Sequence, residues 1–106
     1  MTTFRDLRNW IQHAEVDDVG EHELPGSKWS LHIYSHKRQV NIEYDGLSHM
    51  NIIFDEDEVK VYPCTRPGYV DYDKPILLSL DCPITSLPNG AVAETIRDAM
   101  GSKTSV

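Results

Sequence analysis

Apolar and polar residues alternate through four runs between Lys28 and Cys64, and the four alternations share one phase. Side chains along a β-strand point alternately to the two faces of a sheet, so a shared phase places the apolar set on one face. The pattern predicts an antiparallel meander with one buried face. Its apolar positions are Leu31, Ile33, Val40, Ile42, Tyr44, Met50, Ile52, Phe54, Val59 and Val61.

The residues between the runs predict the turns and the register. With Lys37-Arg38 as the first turn, Ile33 opposes Ile42. Asp45-Gly46 favours a second turn because glycine accepts positive φ, and a three-residue loop with a bulge then places Ile42 opposite Met50. A slip of one residue would expose the apolar set of a whole strand, so the register is constrained.

Two further features extend the predicted sheet. The acidic run 55–58 is expected to form a four-residue loop that places Phe54 opposite Val59. The compact apolar run 75–80 predicts a fifth strand. We expect Pro75 at the start of that strand or on a sheet edge, because proline donates no ladder hydrogen bond.

Helical periodicity flanks the meander on both sides. Thr2 and Thr3 are suitable N-caps for the first helix, Asn89 caps the second, and Gly101 is placed to end it. We therefore predict an α+β fold in which a four- to five-stranded antiparallel meander carries the N- and C-terminal helices on one face, with residues 1–106 as a single domain. The periodic apolar positions are Phe4, Leu7, Trp10, Ile11 and Ala14, then Val92, Ile96, Ala99 and Met100.

The charge of the chain argues against nucleic acid as a ligand. Ten Lys and Arg against 17 Asp and Glu give a net charge of −7, and the basic residues form no stripe that could neutralise phosphates. Such acidic clusters either keep a protein soluble or dock a basic partner. The acids fall in three clusters, namely Glu15, Asp17, Asp18, Glu21 and Glu23; Asp55, Glu56, Asp57 and Glu58; and Asp71 and Asp73.

The sequence also indicates a compartment. The N-terminus lacks an apolar signal region, and no apolar stretch approaches the roughly 20 residues that span a bilayer. Cys64 and Cys82 show no paired spacing, which is typical of free thiols in a reducing compartment. We expect a cytoplasmic protein that does not contact a membrane. By phase, Cys82 belongs to the core and Cys64 to the outer face.

The outer face of the predicted sheet carries polar residues that could bind a metal. In the predicted register His32 opposes Glu43, Glu43 opposes His49, and His49 opposes Cys64. Neighbouring strands lie about 4.8 Å apart, which would let His32, Glu43 and His49 converge on one zinc ion. The other interpretation is an ordinary solvated sheet face. No HExxH or CxxC motif, glycine-rich phosphate loop or GxSxG elbow supports an enzyme.

A second row on the outer face is better suited to recognition than to chemistry. It consists of Tyr34, Asn41, Asn51 and Tyr62. Tyrosine offers a large contact area with a polar end, and asparagine offers both donors and acceptors. A solvated sheet face is again the alternative.

The leading hypothesis is a small acidic non-enzymatic protein that binds and inhibits, or chaperones, a larger basic protein. The alternative is a small metal-dependent enzyme. We expect no cofactor, and because the predicted core is modest, a second copy of the chain is also a candidate partner. In architecture alone the chain is similar to secretion chaperones, immunity proteins and phage-encoded inhibitors of host defence, which does not establish function. The expected partner-binding residues are Asp17, Asp18, Glu21, Asp55, Glu56, Asp57, Glu58, Tyr34 and Tyr62.

Overall fold

The computed structural model describes residues 1–24 and 26–102. Within these ranges a seven-stranded antiparallel sheet is combined with two α-helices and one short 3₁₀ helix. The predicted α+β class is confirmed, and the sheet is larger than the four or five strands expected. In chain order the elements are α1 (Phe4–Ile11), β1 (Glu21–Glu23), β2 (Trp29–Ile33), β3 (Gln39–Tyr44), β4 (Leu47–Phe54), β5 (Glu58–Arg66), β6 (Tyr69–Val70), β7 (Ile76–Ser79), the 3₁₀ helix (Ile84–Ser86) and α2 (Gly90–Ser102).

The strands β1 to β6 follow one another across the sheet in chain order, and β7 pairs with the first half of β5. The predicted meander is therefore β2 to β5. Two of its predicted pairings are confirmed, Ile42 with Met50 and Phe54 with Val59. The predicted fifth strand is β7, and it begins directly after Pro75 as expected.

The first hairpin of the meander has a longer loop than predicted. Ile33 pairs with Val40 instead of Ile42, because the loop includes Tyr34. The N–H of Lys37 donates to the carbonyl of Tyr34 at 2.8 Å, and Lys37 takes a positive φ of 63°. The register consequently differs by two residues. A shift of two leaves every side chain on its predicted face. The predicted apolar residues of β2 and β3 are therefore buried, except Tyr44, which is 43% exposed.

The second hairpin combines a tight turn with a bulge. Asp45 and Gly46 both have positive φ, at 52° and 84°, as a two-residue hairpin turn requires. The bulge lies further along the strands, where Glu43 pairs with Ser48 although the next pair is Ile42 with Met50. His49 is the additional residue. Beyond a bulge, the residues of the strand that point to a given face of the sheet are displaced by one position. His49 therefore does not point to the face that strict alternation predicts.

One hydrophobic core joins the apolar face of the sheet to both helices. The loop residues Leu24 and Leu87 and the 3₁₀ residue Ile84 are also buried in it, and Cys82 packs against it as predicted. Ala14 is buried although α1 ends at Ile11. The sheet and helix members of the core are Phe4, Leu7, Ile11, Leu31, Ile33, Val40, Ile42, Met50, Ile52, Phe54, Val59, Val61, Val92, Ala93 and Ile96.

The N-caps of both helices are residues that the sequence predicted. Thr3 caps α1 in a capping box, in which its side chain accepts from the N–H of Asp6 and the Asp6 carboxylate accepts from the N–H of Thr3. Asn89 caps α2 as predicted. The predicted stop at Gly101 is wrong, because Gly101 lies inside α2 and does not take the left-handed conformation. No helix in the described ranges is long and apolar enough to cross a membrane.

The first turn of α1 is anchored to the segment that follows β7. The N–H of Phe4 donates to the carbonyl of Cys82 at 3.1 Å, and the N–H of Arg5 donates to the carbonyl of Leu80 at 2.8 Å. These donors have no partner inside the helix. The two ends of the fold are thus joined through backbone hydrogen bonds.

Candidate functional site

The sheet face opposite the core carries a connected row of side-chain hydrogen bonds. Gln39 Nε2 donates to Asn51 Oδ1 at 2.8 Å, and Asn51 Nδ2 donates to Asn41 Oδ1 at 3.3 Å. Asn41 Nδ2 in turn donates to Ser48 Oγ at 2.9 Å. The exposed fraction of Asn51 is 0% and that of Asn41 is 8%. The middle of this face is therefore a buried polar network and not the solvated surface that the alternation pattern allowed.

Two carboxyl groups meet at the edge of this network. Glu43 is hydrogen-bonded to Glu21 and accepts from Asn41 Nδ2 at 3.3 Å, while Glu21 Oε1 lies 3.3 Å from His32 Nδ1. Burial raises the pKa of Glu43, and the hydrogen bond and charge of Glu21 raise it further. Asn41 and His32 oppose this rise because they favour the carboxylate. Burial and the neighbouring Glu21 thus favour the protonated form of Glu43.

The predicted metal row is not formed, and the bulge is the reason. His49 turns to the core face, where its ring lies 5.0 Å from the Trp29 ring and its Nε2 lies 3.2 Å from Asn89 Nδ2. Glu43 remains on the opposite face with Asn41. The prediction that His32, Glu43 and His49 could share one metal is therefore wrong. In residues 1–24 and 26–102, no three His, Cys, Asp or Glu side chains are grouped so that they could hold a metal ion.

His32 and Cys64, which ended the predicted row on either side, are also not positioned to share a metal with Glu43 or His49. His32 pairs with Asn41 and not with Glu43, because the first hairpin is shifted by two residues. The Cys64 thiol donates to the carbonyl of Ser48 at 3.2 Å. Burial raises the pKa of this thiol, and the backbone N–H groups of Tyr69 and Gly68 oppose the rise. Cys64 is thus a half-buried, protonated thiol, which is a poor metal ligand.

The predicted recognition row is assembled in part. Asn41, Asn51 and Tyr62 do oppose one another across β3, β4 and β5, whereas His32 takes the place predicted for Tyr34. The Tyr62 ring lies 5.2 Å from the ring of Tyr72. Burial raises the pKa of Tyr72, and nearby Tyr34 adds to the rise. Tyr72 was missed by sequence reasoning because it lies outside any regular element.

Tyr34 instead belongs to the loop between β2 and β3, residues 34–38, at one end of the sheet. Its ring stacks on His36 at a centroid distance of 5.8 Å and meets His32 edge-on at 5.0 Å. This loop lies between two concavities. One, of about 420 Å³, is lined by Asp17 and Asp18, and the other, of about 390 Å³, is lined by Asp55 and Glu56.

The two acidic turns, residues 17–18 and 55–58, therefore lie at the same end of the sheet with loop 34–38 between them. The N–H of Phe54 donates to the carbonyl of Arg38 at 2.8 Å, which holds the loop against the second turn. The loop carries Lys37 and Arg38. Residues from two of the three acidic clusters therefore lie at one end of the molecule, on either side of a loop with basic and aromatic side chains.

Several of the acidic residues have partners within the chain. Asp17 Oδ1 accepts from the N–H groups of Val19 at 3.0 Å and Glu21 at 2.9 Å, so it shapes the turn before β1. Asp55 Oδ2 lies 3.3 Å from Lys60 Nζ, and this ion pair raises the pKa of Lys60. The exposed side chains of Asp18, Glu56 and Asp57 are the best placed to face a partner.

The fold and the site define a small α+β domain with a buried polar network on one sheet face and two acidic turns around an aromatic loop. Comparison of the chain with protein-family models, curated proteins and solved structures finds no match.

Proposed function

We propose that this chain is a small non-enzymatic cytoplasmic protein that binds and inhibits, or chaperones, a larger basic protein. The observation that carries the proposal is the position of the stacked Tyr34 and His36 rings between two acidic turns. An aromatic centre with a charged rim is the usual composition of a protein-binding surface. Gln12 at the end of α1 donates to the carbonyl of Lys37 at 3.0 Å, and the side chains of His36 and Arg38 remain exposed at this end.

The acidic turns serve to steer the partner. Asp18, Glu56 and Asp57 are exposed, and charges at a rim act mainly on the association rate. Their effect is screened beyond about 8 Å at physiological ionic strength, so salt slows association. The remaining acids of the two turns, together with Glu21, contribute charge while they hold the fold.

The tyrosines supply affinity. Tyr34 is half-buried in the aromatic centre, and Tyr62 is half-buried against Tyr72. Tyrosine is frequent among the few residues that dominate binding energy. Truncation of such a residue acts mainly on the dissociation rate, which separates its role from that of the acidic turns.

The competing proposal of a small metal-dependent enzyme required His32, Glu43 and His49 to bind one metal, and these residues do not lie together. His49 lies on the core face with Trp29 and Asn89, and Glu43 is occupied by Glu21 and Asn41. Protein binding is therefore the function that the geometry supports best.

The test is affinity capture from the native host with two variants in which exposed acids are neutralised at different places on the molecule. The first carries D18N, E56Q and D57N. The control carries E94Q and D98N, two neutralised acids on the exposed side of α2. We expect wild type and control to capture the same basic protein, and the first variant to associate with that protein more slowly.

Kinetic measurements on the captured protein then decide between the two parts of the surface. Added salt should slow association with wild type and leave the first variant less affected. Tyr34→Ala should accelerate dissociation. If neither the charge variant nor salt changes the association rate, the acidic turns only keep the protein soluble and the proposed surface is wrong.

A further inference from the structure

The two edges of the sheet differ in how they are protected. At β1 the carbonyl of Glu21 accepts from the N–H of Asp17 at 3.0 Å, and the N–H of Glu21 donates to Asp17 Oδ1, so this edge is capped. At β7 the side chains of Leu77 and Ile76 are 58% and 37% exposed. An edge strand with exposed apolar residues is a template for pairing with another chain.

The hydrogen-bond pattern shows which groups of β7 face outward. The N–H of Asp55 donates to the carbonyl of Glu58, so the backbone groups of Glu58 face β4. Backbone groups alternate along a strand, and those of Val59 therefore face its partner Leu78 on β7. The N–H and carbonyl of Leu77 consequently point away from the sheet. Within the described ranges no backbone hydrogen bond reaches them on that side.

The residues two positions away complete the outward set. The carbonyl of Ser79 accepts from the N–H of Cys82 at 3.1 Å, which leaves its N–H as the outward donor. Pro75 has no N–H and presents only a carbonyl. The open edge thus offers a donor and an acceptor at Leu77, one donor at Ser79 and one acceptor at Pro75.

We propose that β7 pairs with β7 of a second copy of this chain, antiparallel about a two-fold axis at Leu77. Leu77 then exchanges both backbone hydrogen bonds with the partner's Leu77. The N–H of Ser79 donates to the partner's Pro75. The Ser79 carbonyl faces the partner's Pro75, which has no N–H to donate, but this carbonyl already accepts from the N–H of Cys82. Each outward group therefore has one partner. A two-fold interface requires this self-complementarity.

The apolar side chains fit the same register. The two Leu77 side chains become direct neighbours, and Ile76 comes to lie opposite the partner's Leu78, which covers the exposed apolar atoms of this edge. β7 contains none of the residues assigned above to partner binding, so the dimer stands or falls separately from the proposed function.

The first test is the oligomeric state measured by sedimentation over a wide concentration range. We expect wild type to form a dimer whose proportion rises with concentration. Leu77→Lys places two like charges opposite each other on the axis and should abolish the dimer. Leu47→Lys is the control, because Leu47 is 53% exposed and lies at the distant β3–β4 turn. A monomeric wild type, or equal effects of the two substitutions, would overturn the proposal.

The second test fixes the register by cross-linking. Hydrogen-bonded residues opposite each other in an antiparallel pair have Cα atoms about 5.5 Å apart, which a disulfide can bridge. Leu77→Cys should therefore form a covalent dimer under mild oxidation, whereas Leu47→Cys, with the same native cysteines, should not. Equal cross-linking of the two variants would contradict the two-fold axis at Leu77.

Discussion

His49 Nε2 lies 3.2 Å from Asn89 Nδ2, so the bulge of β4 contacts the residue that caps α2. Oδ1 of Asn89 accepts from the N–H groups of Ala91 at 3.0 Å and Val92 at 3.3 Å. The amide nitrogen can only donate, and His49 must therefore accept through Nε2 with its proton on Nδ1. The extra residue of the bulge links the sheet to the helix.

The first prediction concerns this cap. Asn89→Ala removes the acceptor at the start of α2 and should lower the free energy of unfolding by about 1 kcal/mol. Asn89→Asp keeps an acceptor and adds a negative charge that a helix N-terminus favours, although it loses the donor to His49. We expect the aspartate variant to retain most of the stability in urea denaturation. Equal losses in the two variants would show that the contact with His49 matters more than the cap.

The second prediction concerns the buried polar network. Asn51→Asp replaces the donor to Asn41 with a second oxygen in a fully buried position, so two acceptors face each other. We expect a loss of roughly 3 kcal/mol or more in thermal or urea unfolding, because a buried charge lacks compensation. The same substitution at exposed Asn9 is the control, and its cost should stay below about 1 kcal/mol, the usual effect of a negative charge near a helix C-terminus. A tolerated Asn51→Asp would mean that this face is hydrated.

The third prediction is a pH dependence carried by Glu43. Its pKa is raised in the folded protein above the ordinary value of 4.5, so the folded state binds more protons and stability falls as pH rises through that interval. Glu43→Gln should be more stable than wild type at neutral pH, by up to about 1 kcal/mol for a partly exposed pair. The advantage should shrink as pH is lowered towards the ordinary value.

Unfolding free energies measured against pH for wild type and Glu43→Gln test this directly. Glu94→Gln is the matched control, because Glu94 is exposed on α2. Glu21→Gln should also reduce the pH dependence, since Glu21 is the next cause of the raised pKa after burial. A difference between wild type and Glu43→Gln that is constant with pH would contradict the raised pKa of Glu43.

The fourth prediction compares two glycines with positive φ. A Cβ at Gly20 would lie 2.8 Å from the carbonyl oxygen of Ile33, whereas a Cβ at Gly46 would meet no atom within 4 Å. Both alanine variants incur the cost of the left-handed conformation, about 1 to 2 kcal/mol. Gly20→Ala should lose clearly more, because the backbone of β2 has to move. Melting temperatures of the two variants provide the measurement, and equal values would show that β2 yields without cost.

The fold was predictable where apolar residues alternate. Ile42 and Phe54 found their predicted partners, and even the shifted first hairpin kept its faces, because a slip of two positions leaves the buried set intact. The sequence of β1 is Glu-His-Glu, which offers no apolar alternation to detect. β6 has only two residues. β1 and β6 form because a neighbouring strand supplies their hydrogen bonds. The pattern of apolar residues within one segment cannot predict such a strand.

The site was less predictable because it depends on turn geometry. The bulge at Glu43 moves His49 to the other face, and a pattern of alternation cannot locate a bulge to one residue. The acidic turns were visible as composition. Their meeting around Tyr34 depends on which loops share an end of the sheet, and that follows only from the full strand order.

The backbone bonds from Phe4 and Arg5 to Cys82 and Leu80 have a consequence for synthesis on the ribosome. The segment that anchors α1 is translated about 70 residues after Ile11, the last residue of that helix. Until that segment has emerged, a nascent chain exposes Phe4, Leu7 and Ile11 without their final cover. The meander can pair earlier, since its hairpins are local, so the first helix docks onto a sheet that has already begun to form.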